Sequence, residues 1–245
     1  MPDSGRFDDS GDIVLPKLPA EQPVAPGGAQ TLVGGAPFEE ATLRRAVGHA
    51  PRLVAADSGA DALLALGLVP ELVVGDLDSI SPAAREAFRD RTRHLADQDT
   101  TDFEKALRAS PAALTIAVGF LGGRIDHALA ALSAMAALRP PCLLLSEEDC
   151  VFMAPEALVL DLPRGTRVSL WPLGDVCGRS TGLRWPIDGL RMSPDGRVGT
   201  SNEALGPIGL EFDGGAVAVI LPAAMLPLAL GAVAAAPRGA GEPSL

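Results

Sequence analysis

No apolar run in this 245-residue chain approaches the roughly 18–20 residues that a membrane-spanning helix requires. The longest, near residues 216–236, is broken by Pro222 and Pro227 and is rich in alanine, and it reads as a buried strand with its exit. The first residues, MPDSGRFDDSGDIV, are acidic and lack a basic region followed by an apolar one, so they do not read as a secretory signal. Cysteine is scarce, and Cys142, Cys150 and Cys177 show no CxxC spacing. They fit reduced, half-buried thiols of a cytoplasmic protein. Positive charge is also short: 20 Lys and Arg stand against 31 Asp and Glu, a net charge of −11. Such a chain should repel nucleic acid and anionic membranes, whose binding rests on basic residues neutralising phosphates. It can still bind a nucleotide if a divalent cation sits between its carboxylates and the phosphates. Clustered acids and a metal are then expected together.

What is present is enough apolar surface, 47% of residues, to bury the core of one large domain or two modest ones. Residues 1–28 are rich in Pro, Gly and Asp and read as a flexible lead-in. Short apolar runs then alternate with helix-like stretches. The runs are Thr31–Val33, Leu53–Ala56, Leu72–Val74, Leu114–Val118 and Cys142–Leu145. The helical stretches are Phe38–Val47, Ala60–Leu66, Pro82–Arg89, Asp102–Ala109 and Asp126–Leu138. This alternation predicts an α/β domain over 29–147, a doubly wound, mostly parallel sheet with helices on both faces. Beyond it, over 148–238, come Gly and Pro punctuation, alternating segments such as Arg167–Trp171 and no amphipathic helix, which predicts an all-β sandwich domain. The tail after Arg238 reads as frayed.

The chemistry-bearing residues all follow predicted strands, where α/β sheets form their ligand crevices. Asp57 and Gly59 lie in ADSGAD after the second run. Asp76 and Asp78 lie in VVGDLDS, two apart, so in an extended segment both carboxylates point the same way and can share one hard cation. Alone, the pair reads more readily as turn and cap residues. In DQDTTDFEK, Thr101 and Glu104 form a capping box that starts a helix at Asp102, whose carboxylate meets the positive end of the helix dipole. Asp99 and Asp102 serve a helix start equally well. In GFLGGRIDH, Gly122 and Gly123 expose backbone N–H groups to phosphate oxygens, and Arg124 adds a fork of donors. No GxxxxGK[ST] loop occurs. His127 reads as a structural group. Four acid- or glycine-bearing loops at successive strand ends are harder to ascribe to capping than any one of them, and together they point to a metal–phosphate site.

The series ADSGAD, VVGDLDSI, DQDTTDFEKAL, GFLGGRIDHALA and TGLRWPIDGL…GTSNEA resembles the thiamine pyrophosphokinase family in order and spacing, over about residues 30–220. The resemblance implies a homodimer whose subunits carry a nucleotide domain and a β-sandwich domain, with thiamine bound at the subunit interface. It implies Mg²⁺ on Asp76, Asp78 and Asp102, with Asp57 and Gly59 near the phosphates, and Gly122, Gly123, Arg124 and Asp126 at ATP. Gln98, Ser201 and Asn202 would contact thiamine. The implied reaction is transfer of a diphosphate from ATP to the thiamine hydroxyl, with AMP leaving. Two departures from the family pattern stand in the first motif: Ser58 replaces a glycine, a change compatible with negative φ only, and Asp61 replaces an amide. Trp185, in the later motif, reads at least equally as a β-domain core residue. Competing readings are diphosphate transfer to a hydroxymethyl pterin, a non-catalytic nucleotide or thiamine binder, and a Mg²⁺-dependent hydrolase.

Overall fold

The computed structural model describes residues 28–97 and 99–235. The expected lead-in (Gly28 apart), the tail after Arg238 and Gln98 lie outside the described residues. These fall into two compact units, one ending at Cys150 and the other beginning at Val151. Among the described residues no helix is long and apolar enough to cross a membrane.

The first unit alternates β1 (Ala29–Val33), α1 (Glu40–His49), β2 (Arg52–Ala56), α2 (Gly59–Ala65), β3 (Leu72–Gly75), α3 (Pro82–Ala87), β4 (Thr92–His94), α4 (Asp102–Ala109), β5 (Leu114–Val118), α5 (Ile125–Leu138) and β6 (Cys142–Leu145). The strands pair in parallel in the order β6-β5-β1-β2-β3-β4. β1, β5 and β6 are buried at every residue, as strands covered on both faces must be. The chain runs outward from β1 to β4, then returns to the other side of β1. Right-handed crossovers therefore place α1, α2 and α3 on one face and α4 and α5 on the other. One core cluster joins Val33, Leu53, Ala55 and Val73 of the strands to Leu43, Leu63 and Ala84 of α1, α2 and α3, in keeping with that assignment.

Two starts follow from sequence chemistry. Ser81 accepts a hydrogen bond from the N–H of Ala84 (3.1 Å), with Pro82 at the first position of α3. Thr101 accepts from Glu104 N–H (3.3 Å) at α4. The reciprocal half of the predicted capping box is not made, because the Glu104 carboxylate instead takes both donors of Arg108 one turn later. β4 was not predicted; its three residues are partly exposed or exposed and carry no apolar run.

β7 (Asp149–Met153) begins before the division at Cys150, and the second unit goes on with β8 (Ala157–Leu160), β9 (Arg167–Pro172), β10 (Val176–Leu183), β11 (Arg191–Met192), β12 (Gly199–Gly214) and β13 (Val217–Pro222), closing on α6 (Leu226–Ala235). β12 serves two sets of partners. Its first residues pair with β9, and its later part runs between β10 and β8. The change comes at Leu205–Ile208, where the register against β10 slips between Thr181 and Leu183. Gly206 (φ 149°) precedes Pro207 there, and Gly182 (φ 73°) passes under the Pro207 carbonyl. The unit is not all β, as the sequence had suggested. α6 lies in the alanine-rich stretch read as strand exit, and Pro227 is tolerated because it falls in the first turn. Leu226, Ala229, Leu230, Ala232 and Val233 are buried, so an apolar surround replaces the amphipathic stripe by which a surface helix is recognised.

Gly59 and Gly48 should respond oppositely to alanine. A Cβ at Gly59 would fall well inside van der Waals distance of the Val33 carbonyl, whereas one at the exposed, helical Gly48 meets nothing within 4 Å. Gly59→Ala should cost at least ~3 kcal/mol, and Gly48→Ala should stabilise by up to ~1 kcal/mol, both read from denaturant unfolding.

Candidate active site

The sheet order reverses between β1 and β5, so the loops leaving their carboxyl ends flank a crevice. These loops touch through glycine. Gly34 N–H donates to the Val118 carbonyl (2.8 Å) and Ala36 N–H to the Gly119 carbonyl (3.0 Å). A Cβ at Gly34 would stand 2.5 Å from the Gly119 carbonyl oxygen and 2.8 Å from the Phe120 ring. Gly122 and Gly123 both have positive φ (83° and 62°), which glycine adopts without steric cost. Phe120 packs edge-on against Phe103 of α4, with ring centroids 4.7 Å apart, tying this loop to the helix that carries Asp102. Arg124, next to the start of α5, gives two hydrogen bonds to the Asp126 carboxylate. The shared fork lowers the Asp126 pKa and raises that of Arg124, and both side chains stay exposed. His127 is exposed as well.

Beside this crevice the loops after β2 and β3 gather carboxylates. Oxygens of Asp57, Asp76 and Asp78 lie within 4.8 Å of one another. Asp102 adjoins them: a Cβ at Gly75 would stand 3.0 Å from Asp57 Cβ and 3.2 Å from Asp102 Oδ1. Gly75 thus lets the end of β3 pass beneath both acids. Two non-glycine residues take left-handed backbone here, Asp57 (φ 44°) and Leu77 (φ 65°). Such residues cost about 1–2 kcal/mol each and persist where surrounding structure enforces them. For Leu77 the enforcement is visible, since its side chain is buried in the core cluster and its carbonyl accepts from Arg85 of α3.

The four acids are not equivalent. Asp57 is 5% exposed, and its Oδ1 has no hydrogen-bond partner. Burial raises its pKa, against a lowering bond from Ser58 N–H, and the charges of Asp102, Asp76 and Asp78 raise it further. For Asp76, burial opposes ionisation, but the Asp78 N–H and the Lys105 ammonium outweigh it and lower the pKa. Asp78 accepts from the Ser79 hydroxyl (2.8 Å). Asp102 and Asp76 share Lys105, whose Nζ stands 3.2 Å and 3.5 Å from them. Lys105 is the residue that sequence reasoning missed. It stands inside a quoted motif, and its signal was a lysine on the buried stripe of α4 beside Ala106, three residues beyond Asp102.

The two departures in the first motif have structural outcomes. Ser58 has φ −62°, so a side chain is tolerated, and its hydroxyl packs against Gly35. The Asp61 carboxylate accepts from Ser81 N–H (3.1 Å), fastening the loop that follows Asp78. Ser201 and Asn202 lie in the second unit, at the start of β12, on a groove of about 360 Å³ also lined by Trp185, Ile187, Leu190 and Met192. Ser201 is exposed with φ 61°. Asn202 is buried, accepting from Trp185 N–H (3.2 Å) and Glu203 N–H (2.8 Å) and donating to the Trp185 carbonyl (2.6 Å). Its role in this structure is to hold the Trp185 turn. Trp185 itself is 53% exposed rather than a core residue, with the Arg184 guanidinium 5.0 Å from its ring centroid.

A buried acid with a raised pKa holds its proton more tightly when folded, so its share of stability falls as pH climbs from the ordinary carboxylate value through the folded one. Asp57→Asn removes the buried charge, and with it the repulsion from the neighbouring acids, and keeps a residue suited to left-handed φ. In the metal-free protein it should stabilise by about 1 kcal/mol at pH 7, or 2–4 °C in Tm, and the gain should vanish below pH ~4. Thermal unfolding at the two pH values measures it.

Comparison with known proteins bears on the same residues. Residues 43–143 match the model described as thiamin pyrophosphokinase, catalytic domain, and residues 158–217 the one described as thiamin pyrophosphokinase, vitamin B1 binding domain. Thiamine pyrophosphokinase 1 of Oryza sativa subsp. japonica is 29% identical over 154 residues, covering 54% of this chain and 58% of the relative. Thiamin pyrophosphokinase 1 of Caenorhabditis elegans is 27% identical over 157 residues, covering 55% of this chain and 62% of the relative. The matched stretch thus spans little more than half the length of these curated relatives. Among solved structures, a thiamin pyrophosphokinase family protein from Enterococcus faecalis aligns with a TM-score of 0.62 at 26% identity, over 79% of this chain and 98% of that one. Thiamin pyrophosphokinase from Candida albicans shares the fold, with a TM-score of 0.68 at 16% identity, over 79% and 90%. With both family domains matched in order, and the acid and glycine loops falling within the first, this chain belongs to the thiamin pyrophosphokinase family.

Proposed function

We infer that this chain transfers a diphosphate group from ATP to the hydroxyl of thiamine, using a divalent cation, Mg²⁺, held at the carboxylate cluster. The observation that carries the reading is the convergence of Asp57, Asp76 and Asp78 beside the sheet's switch-point crevice, with one buried Asp57 oxygen left without a partner. A hard cation fits this set: it takes oxygen ligands, and few carboxylates suffice because phosphates and water complete its shell. Asp57, Asp76 and Asp78 would hold it; the family resemblance gives Asp102 the third place instead of Asp57, and Asp102 adjoins the cluster. When bound, the ion supplies charge neutralisation across the phosphate oxygens of the transferred group.

The chain's own residues have separable tasks. N–H groups of the Gly122–Gly123 turn receive phosphate oxygens, Arg124, braced by Asp126, adds charge-assisted donors, and Gly59, packed against the Val33–Gly34 backbone, lies by the phosphates in the same reading. In the reaction, the thiamine oxygen forms a bond to the β-phosphorus as the bond from that phosphorus to the α–β bridging oxygen breaks. AMP departs and the hydroxyl proton is released. Positioning and electrostatics supply most of the rate in such a transfer. We read the second unit as the β-sandwich thiamine domain. There Trp185 offers an aromatic face to a cationic ring and Asn202 positions that turn, with Ser201 exposed beside it and Gln98 a further contact. A homodimer with thiamine at the subunit interface, and a cytoplasmic setting for the three free thiols, belong to the same reading. The match to a vitamin B1 binding domain favours thiamine over a pterin alcohol as acceptor, and the complete carboxylate set favours an enzyme over an idle binder.

The test is incubation of the full chain with ATP, Mg²⁺ and thiamine. Equal amounts of AMP and thiamine diphosphate should form, and EDTA should abolish both. Inorganic phosphate release without thiamine diphosphate would instead mark a hydrolase. Asp78→Ala should remain folded and lose at least ~100-fold in kcat; near-normal turnover at saturating Mg²⁺ would remove the metal assignment. Trp185→Ala should raise KM for thiamine about tenfold and leave KM for ATP unchanged.

A further inference from the structure

Among the described residues, every ion pair of the four clustered carboxylates goes to one cation, Lys105. The Lys105 side chain is 4% exposed and leaves α4 with its Nζ between Asp76 Oδ2 and Asp102 Oδ1. A buried lysine is costly unless paired, and here it is paired twice. It also takes its two partners from different elements, β3's loop and α4. The other Asp76 oxygen accepts from Asp78 N–H (3.3 Å), so Asp76 is fixed from both sides. By contrast, Asp57 Oδ1 in the same cluster has no partner. Four acids and one cation leave an excess of negative charge, and the lysine sits where it lowers the pull of the cluster on any further cation.

We propose that Lys105 is a positioning residue that acts as a built-in counter-cation: it holds Asp76 and Asp102 in place and keeps the affinity of the free site for a bare divalent ion low. The inference rests on the metal reading above. The physical consequence is that strong ion binding waits for a ligand that brings its own negative charge, such as a nucleotide polyphosphate. A bare ion meets only the net charge left by Lys105. An ion carried by phosphates gains phosphate oxygens as well as the unpartnered side of Asp57.

The experiment is Mn²⁺ binding to the full chain without nucleotide, followed by the electron paramagnetic resonance of free Mn²⁺, for wild type, Lys105→Gln and Lys105→Arg. Thermal unfolding with and without Mn²⁺ runs in parallel. Removing a unit charge a few ångströms from the ion should tighten binding by about tenfold or more in Lys105→Gln. That variant should melt lower than wild type without metal and gain more from Mn²⁺ than wild type does, while Lys105→Arg keeps wild-type affinity. A Lys105→Gln chain that folds only when Mn²⁺ is added also supports the proposal. Unchanged or weaker Mn²⁺ binding by Lys105→Gln, or a chain that stays unfolded at any Mn²⁺ concentration, overturns it. Binding in wild type that is unaltered in Lys105→Gln would remove this inference alone. Absence of Mn²⁺ binding in all three proteins would remove the metal reading with it.

Discussion

Repulsion among carboxylates crowded at one edge of a parallel sheet is the constraint around which the first unit is arranged. Asp57, Asp76 and Asp78 converge and Asp102 adjoins them, yet among the described residues only one ammonium reaches the group. Left free, such side chains would swing apart into water. The fold denies them that freedom by fixing their backbones from below. Leu77 and Ile80, which bracket Asp78, are sunk in the core cluster with Leu43, Leu63 and Phe88. Arg85 of α3 takes the Leu77 carbonyl and Asp61 of α2 takes Ser81 N–H, so the acid loop is tied at both ends to helices on the same face. The left-handed turns at Asp57 and Leu77 are the conformational expression of that hold.

Much of this framework was legible because it depends on patterns local in sequence. β5, β6 and α4 have the bounds that their apolar runs and Thr101 indicated, and α3 starts at Pro82 as the Ser-Pro pair requires. Buried parallel strands announce themselves as short apolar runs, and helix starts by their caps. β4 left no such trace. It is the outermost strand, three residues long, and owes its conformation to pairing with β3, a tertiary cause that a local window does not contain. Lys105 was hidden for a related reason. Sequence shows a lysine near an aspartate, which usually means a solvated helix pair, and only the convergence of β3's loop with α4 turns it into a buried ammonium.

The second unit was less legible, and the reasons differ by residue. α6 lacks a polar face, so its periodicity carries no information, and alanine and leucine suit either state when buried. Trp185 is of a residue type more often found inside, but its backbone is engaged by the Asn202 side chain in a turn that presents the ring outward. Asn202 shows the converse. The family resemblance puts it at thiamine, and within the chain its side chain makes three hydrogen bonds, to Trp185 and Glu203.

The two ends of α4 explain how the first unit carries so much unbalanced charge. At the carboxyl-terminal end, Ser110 sits in a hydrogen-bonded network with Gln30, Thr115 and Arg52, whose charge is paired with Glu71. Gln30 of β1 donates to the Ser110 carbonyl (2.7 Å) and the Thr115 hydroxyl (3.1 Å), the Ser110 hydroxyl donates to Gln30 (2.8 Å), and Arg52 of β2 donates to the Ser110 hydroxyl (2.6 Å). A satisfied buried network rigidifies what it joins, and this one fixes α4 to three strands. At its amino-terminal end the same helix holds out Asp102 and Lys105, while neighbouring Asp57 keeps an oxygen without a partner. Stability and reactivity are thus placed at opposite ends of one helix and one sheet. The polar groups at the amino ends of the strands are closed among themselves, which secures the backbone against which the crowded carboxylates at the carboxyl ends are held.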